Sequence, residues 1–382
     1  MCNGLEYREN FTLYKRKGMI GRLEPYSKEL NALKRAGRLR IRNISDDSLI
    51  DFASNDYLNL AQNREILELT LEKMKELNSH APKSSMLVNG YSQVHKNFEN
   101  SLCELNGFED AIVVGSGFLA NISLIESLVR RGDTLFIDEE FHASGNLASH
   151  LVQGDVKVFK HNDAQNLREL LREKKEGRAI IAIEGVYSMG GDLCEREIFS
   201  LADEYGAILI VDEAHSAGVL GENLLGVFEH FNIEVKPNHI KMGTLGKAYG
   251  SYGAYILASK HIVEYLVNRA KPIIYSTAPS IFDTLLAHTS LDWIQKNSSQ
   301  LQIEIKKRQK LVQDILDIQM QSLILRVDID TISKLMQKKD ELKELGFAIG
   351  AIRPPTVKKP MLRIIARLGD NLSDFERLLN AL

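Results

Sequence analysis

Ala207-Ile208-Leu209-Ile210-Val211-Asp212-Glu213-Ala214-His215 is an apolar run that ends abruptly in acids and a histidine. A short continuous apolar run bounded by charge reads as a buried strand. The carboxylate at its end is costly to bury unless it meets a cation or a donor. Similar runs stand at Ala111–Val114, Thr134–Ile137, Val156–Phe159, Ala179–Ile183 and Ala254–Ala258. Helix-like stretches lie between them, at Asn121–Arg131, Ala164–Lys175 and Glu197–Tyr205. Near-continuous apolar strands alternating with amphipathic helices predict an α/β fold, its mainly parallel sheet covered on both faces.

Outward from that block the pattern changes. Beyond Pro279 a long helix is expected over Leu285–Met320, a strand at Leu323–Val327 and a helix at Ile332–Leu345. Strands follow at Phe347–Ile352 and Leu362–Ala366, and a last helix opens at Ser373, whose spacing to Glu376 is that of a capping box. The expected division is an N-terminal segment, 1–48, partly helical over Leu23–Leu39, a large domain, 49–284, and a small C-terminal α+β domain, 285–382.

Composition narrows the classes. The chain has 382 residues, 44% hydrophobic and 26% charged, which excludes disordered and fibrous proteins. A net charge of −3 gives no reason to expect a nucleic-acid partner. No apolar run approaches the length of a membrane span, and Met1-Cys2-Asn3-Gly4 opens no signal-peptide core, so a cytoplasmic protein is expected. Three widely spaced cysteines (Cys2, Cys103, Cys194) predict neither a disulfide framework nor a thiolate metal site, and no metal is expected.

Ligands of open α/β sheets sit beyond the carboxyl ends of the strands. There, Ala111–Val114 runs into Gly115-Ser116-Gly117-Phe118 and then a helix, a geometry that suits an anion but also an ordinary tight turn. Asp212 could cap a helix, hold a metal with His215, or pair with a protonated heterocycle nitrogen. An ATPase reading of Asp212-Glu213-Ala214-His215 fails, because no Gly-Lys pair in the chain is followed by Ser or Thr. Lys247, in Gly243-Thr244-Leu245-Gly246-Lys247-Ala248-Tyr249-Gly250, has small and apolar neighbours, a setting that can lower an ammonium pKa and free the amine. Phosphate cradle, strand-end acid and glycine-flanked lysine together are what pyridoxal phosphate requires. His142 is then placed to cover a face of the ring.

The chain also resembles the α-oxoamine synthases, pyridoxal-phosphate enzymes of the aspartate aminotransferase fold (fold type I). The resemblance runs from about Phe52 to the C-terminus. It is carried by Phe52-Ala53-Ser54-Asn55-Asp56-Tyr57-Leu58, Asn89-Gly90-Tyr91-Ser92-Gln93-Val94-His95, Gly115–Asn121, Glu184-Gly185-Val186-Tyr187-Ser188-Met189-Gly190-Gly191-Asp192, Val211–Gly218 and the Lys247 loop. It implies that Lys247 holds the cofactor covalently, Asp212 pairs with the ring nitrogen, His215 with the phenolic oxygen, and His142 stacks on the ring. Ser116, Gly117 and Phe118 would lie at the phosphate, and Ser188 and Thr244 would also touch the cofactor. Ser276 and Thr277 would reach the cofactor of a neighbouring subunit in a homodimer with shared active sites. Asn55 and Arg363 would contact the substrate, Arg363 through its carboxylate.

Within the family, Arg353-Pro354-Pro355 resembles the branch that condenses L-alanine with a pimeloyl thioester, of coenzyme A or an acyl carrier protein, in biotin biosynthesis. A branch using glycine or serine is the alternative. A catalytically silent relative, acting as a binding subunit, is disfavoured by the presence of Lys247. Ala81–Leu87 departs from the glycine-rich loop of the family, so a difference in substrate preference is expected there.

Overall fold

The computed structural model describes residues 17–174 and 176–382. Met1–Gly4 and Lys175, both used above, lie outside them. The described residues belong to two units, Met1–Ser48 and Leu49–Leu382. Among its described residues the first holds one helix, Lys17–Arg35, which begins before the expected Leu23. It stops at Arg35 because Gly37 turns left-handed (φ +64°), letting the amide of Arg38 return to the Leu33 carbonyl at 2.8 Å.

The second unit contains two sheets. Seven strands form the larger: β2 (Asp110–Val114), β3 (Thr134–Asp138), β4 (Asp155–Phe159), β5 (Ala179–Glu184), β6 (Ile208–Asp212), β7 (His239–Thr244) and β8 (Ala254–Ala258), in the order β2-β8-β7-β6-β5-β3-β4. Every pairing from β7 to β4 is parallel, and β8 alone runs against its neighbours. The reversal follows from the short connection between β7 and β8, since a parallel return needs a crossover of about a dozen residues or more. That connection is the Lys247 loop, which is thereby held at the edge where β5 and β6 end.

Side chains on the central strands alternate between two cores. Ile181, Ile183, Leu209 and Val211 join one, while Ile180, Ala182 and Ile210 join the other. Both faces are therefore covered, as a parallel sheet requires. β4 departs from the expected buried strand. It is an edge strand whose Val156 and Val158 are exposed, with Lys157 between them, a charge that blunts an open edge.

β7 was not expected, because Lys241 and Gly243 interrupt its apolar character. Lys241 is nevertheless buried, 3.6 Å from the equally buried Glu213 and 2.7 Å from Asn106 Oδ1. The pair ties β7 to the residue that follows Asp212.

The smaller sheet is ordered β1-β10-β11-β9, from β1 (Ile50–Phe52), β9 (Ile324–Asp328), β10 (Phe347–Ile352) and β11 (Met361–Ile365). β1, early in the chain, pairs in parallel with β10. A single helix, Ile281–Leu316, runs through position 284 and joins the two regions without a break. The last helix, Leu372–Asn380, opens one residue before Ser373 with Asn371 at its cap. The expected capping box does not form, because Ser373 already lies in the first turn.

Breaking a buried ion pair leaves an uncompensated charge. Lys241→Ala should destabilise the protein by about 4 kcal/mol in denaturant unfolding, and Lys241→Met with Glu213→Gln should cost less than the sum of the two single changes.

Candidate active site

The carboxyl ends of β2, β3, β5, β6 and β7 bring Ser116, His142, Glu184, Asp212 and Lys247 to one edge of the large sheet. Asp212 ends β6 in register with Glu184 of β5, and both are buried. Each Asp212 oxygen accepts a hydrogen bond, Oδ1 from the Ala214 amide at 2.9 Å and Oδ2 from Asn121 Nδ2 at 2.8 Å. Asn121 stands on the helix Gly117–Leu128, whose cap Ser116 accepts from the Leu119 amide. Its amide also donates to Ser144 Oγ at 2.9 Å, and that hydroxyl lies 2.7 Å from His142 Nδ1. One hydrogen-bonded chain thus links Asp212, through Asn121 and Ser144, to His142. Phe118 meets the His142 ring edge-on, with centroids 6.5 Å apart.

A second chain ends on the lysine. Lys247 Nζ lies 2.7 Å from His215 Nε2, and His215 Nδ1 lies 2.5 Å from the Tyr57 hydroxyl. Burial raises the Tyr57 phenol to about 12, so it keeps its proton and donates it to Nδ1. Burial, with the Lys247 charge beside it, holds His215 well below its ordinary range and keeps it neutral. With Lys247 in its free-amine form, the tautomer that follows carries its proton on Nε2 and donates it to that amine. Burial lowers Lys247 to about 8, against the pull of the Asp212 carboxylate for its ammonium form. Close packing holds the loop in place: a Cβ on Gly250 (φ +58°) would come within 2.6 Å of the Leu60–Ala61 backbone.

The small sheet supplies Arg363 from the middle of β11. Its Nε donates to the Ser188 carbonyl at 2.7 Å and its Nη1 to Asn55 Oδ1 at 2.9 Å. Arg363 Nη2, Glu184 Oε1 and Asn121 Oδ1 are buried without a hydrogen-bond partner among the described residues.

The structure therefore joins Lys247, His215, Asp212, His142, Phe118, Ser188, Asn55 and Arg363 directly or through shared partners. Ser116 and Gly117 open the helix that carries Asn121, and Thr244 ends β7 just before the loop, bonded to the Gly253 carbonyl at 3.1 Å. Among the described residues no hydrogen bond ties Ser276 or Thr277 to this network. Thr277 is exposed and bridges Ser85, while the Ala278 amide donates to the Ser84 carbonyl at 3.0 Å. The divergent loop Ala81–Leu87 is thus stitched to the segment expected to serve a second subunit. Tyr57, Asn121, Ser144 and Glu184 had no role in the sequence reading. Three of them sit inside the motifs quoted for the resemblance, but nothing in a single sequence says which side chains turn inward.

No group of three or more His, Cys, Asp or Glu among the described residues is placed to hold a metal ion. The residues do fit pyridoxal phosphate. They include an amine lowered toward neutrality, a carboxylate with both oxygens satisfied, a helix N-terminus at a glycine turn, and buried polar atoms still without partners. Because burial favours its neutral form, the Lys247 amine is free above about pH 8 and protonated below it. In cofactor-free protein, modification of Lys247 by an amine reagent, followed by peptide mass spectrometry, should rise with pH to a plateau above about 8. A midpoint near the ordinary 10.5 would contradict the burial argument.

A family model described as "Aminotransferase class I and II" matches residues 47–382. An 8-amino-7-oxononanoate synthase from Helicobacter pylori is 42% identical over 359 residues, 94% of this chain and 96% of the relative. A solved 8-amino-7-oxononanoate synthase from Francisella tularensis superposes with a TM-score of 0.74 at 26% identity, covering 88% of this chain and 97% of the other. A serine palmitoyltransferase from S. paucimobilis, solved with bound pyridoxal phosphate, shares the fold at a TM-score of 0.85 and 21% identity, covering 95% and 97%. The strand-end constellation and these likenesses agree: the chain belongs to the class I and II aminotransferase family and is a pyridoxal-phosphate enzyme.

Proposed function

We propose that the protein joins L-alanine to a pimeloyl thioester with loss of CO2, giving 8-amino-7-oxononanoate and the free thiol carrier, a step of biotin biosynthesis. Arg363 carries the amino-acid half of this reading. Its guanidinium is buried and held by Ser188 and Asn55, and the unpartnered Nη2 is a donor suited to a carboxylate. The choice of alanine and of the pimeloyl group is supported by the Helicobacter relative's name and by the Arg353-Pro354-Pro355 run.

Lys247 would hold the cofactor, with Asp212 at the ring nitrogen, His215 at the phenolic oxygen and His142 over the ring. Ser116, Gly117 and Phe118 would take the phosphate, and Ser188 and Thr244 would line the site. When bound, pyridoxal phosphate supplies an electron sink for negative charge at the substrate's α-carbon. Arg363 and Asn55 orient the amino acid by its carboxylate. The Lys247 amine, lowered to about 8, would take the α-proton of the bound amino acid. His215, kept neutral and oriented by Tyr57, presents a donor rather than a charge to the phenolic oxygen. The Asn121–Ser144 bridge keeps Asp212 and His142 in fixed relation during turnover.

We also propose a homodimer in which Ser276 and Thr277 complete the partner's phosphate site. Thr277 is exposed, and Tyr275 and Val88 beside these segments are exposed apolar side chains. No described helix is long and apolar enough to cross a membrane.

The experiment is an absorption titration of the purified protein with L-alanine and with glycine, then with pimeloyl thioester, the product being identified by mass spectrometry. The cofactor band should be absent from Lys247→Ala and should respond to alanine in preference to glycine. Arg363→Lys should raise the alanine concentration for half-response roughly tenfold, about the worth of one charged hydrogen bond. A response to glycine alone would move the reading to a glycine-using branch. No band with added pyridoxal phosphate would remove the enzyme reading altogether. For the dimer, mixing inactive Lys247→Ala with inactive Ser276→Ala/Thr277→Ala should restore activity, because mixed dimers contain one intact site. No recovery in exchanged dimers would place each site within one chain.

A further inference from the structure

Glu184 is the one buried acid at the strand ends that the mechanism above leaves unused. It ends β5 in register with Asp212 on β6, and the two are 1% and 4% exposed. Two carboxylates buried side by side cannot both ionise cheaply, so their surroundings decide which one keeps a proton.

Those surroundings differ. Asp212 accepts a hydrogen bond on each oxygen, from the Ala214 amide and from Asn121. Glu184 uses Oε2 for the Ser188 amide at 3.0 Å, while Oε1 has no partner among the described residues. A carboxylate with one bare buried oxygen is poorly solvated, whereas the protonated acid needs fewer donors.

We propose that Glu184 is a positioning residue of this site, a neutral carboxylic acid that holds the Ser188 backbone and leaves Asp212 the single anion of the pair. Burial, and then the charge of Asp212, push Glu184 well above the usual carboxyl range, in agreement with this geometry. The titratable groups that face it are Asp212, Lys247, Tyr57 and Tyr187. Tyr57 and Tyr187 both hold their protons, since burial raises each phenol. The consequence falls on Lys247. Two anions beside its amine would hold the ammonium form, whereas one lets it become a base near neutral pH. Glu184 also grips the backbone of Ser188, whose carbonyl anchors Arg363. The inference rests on assigning Lys247 and Asp212 to the cofactor, and not on the choice of amino acid or thioester.

The test begins on cofactor-free protein, so that it stands apart from the substrate experiment. At about pH 8 the infrared spectrum should show a carboxylic-acid C=O band that moves in D2O and is lost in E184Q. Glu99, raised by burial to about 7, is largely ionised there. A wild-type spectrum without the band overturns the proposal even if E184Q fails to fold, and so does a band that survives in E184Q. The Lys247 titration gives a second reading. E184Q should leave its midpoint in place, because the glutamine replaces an acid that was already neutral. A fall of about one unit would mean that an anion had been removed, and would overturn the proposal. For the positioning role, E184A should weaken pyridoxal phosphate binding roughly tenfold, about the worth of one hydrogen bond, while E184Q stays near wild type. Equal affinity in E184A would overturn that role.

Discussion

Charge buried at the ends of β5 and β6 is the constraint on which the rest of the structure depends. Asp212, Glu184, Lys247 and Arg363 meet where water is largely excluded, an arrangement that is unfavourable unless donors, counter-charges or held protons compensate it. Nearly every unusual feature nearby supplies such compensation. Asn121 turns its amide to Asp212, Tyr57 bonds Nδ1 of the neutral His215, and the chain reverses between β7 and β8 to bring in the lysine. Three of the buried atoms still lacking partners, Asn121 Oδ1, Glu184 Oε1 and Arg363 Nη2, belong to this place, which supports reading it as a site.

A neighbouring set of contacts attaches the substrate side to this floor. Arg363 and Arg367, on and just after β11, both reach back to the segment that follows β1. Arg363 holds Asn55, while Arg367 pairs with Asp51 at 2.7 Å and bonds Asn59, and the Leu368 amide donates to the Tyr57 carbonyl at 2.8 Å. Residues 51–59, which carry both Asn55 and Tyr57, are therefore shaped by the far end of the chain. His161 plays a comparable part behind the site. Its ring lies between Asp138 at 3.0 Å and Asp192 at 2.8 Å, joining the end of β3, which leads to His142, to the loop that follows Ser188.

The architecture was largely legible in advance, because parallel strands buried on both faces must be apolar throughout and so stand out from the helices between them. Legibility failed where tertiary partners override that rule. β7 was hidden by Lys241, which is acceptable in a buried strand only because Glu213 lies opposite. β4 reads as a buried strand through Val156, Val158 and Phe159, and the one mark of an edge strand in that run is Lys157. The capping pattern at Ser373 is not used, because the helix already begins at Leu372 after Asn371, a start that spacing alone does not decide.

Sequence by itself determined the residue types and their order along the chain: a strand that ends in Asp212, a glycine turn entering a helix at Gly117, a glycine-flanked Lys247, and an arginine in a late strand. Those features are local, set by backbone preference and burial within a few residues, and so they survive being read in one dimension. Only the tertiary structure decided protonation and partnership: that His215 stands between Tyr57 and Lys247, that Asn121 serves both Asp212 and Ser144, and that Glu184 faces Asp212 with one oxygen bare. These are contacts between residues far apart in the chain, and their energies depend on distance and desolvation, quantities that do not exist until the strands are brought side by side.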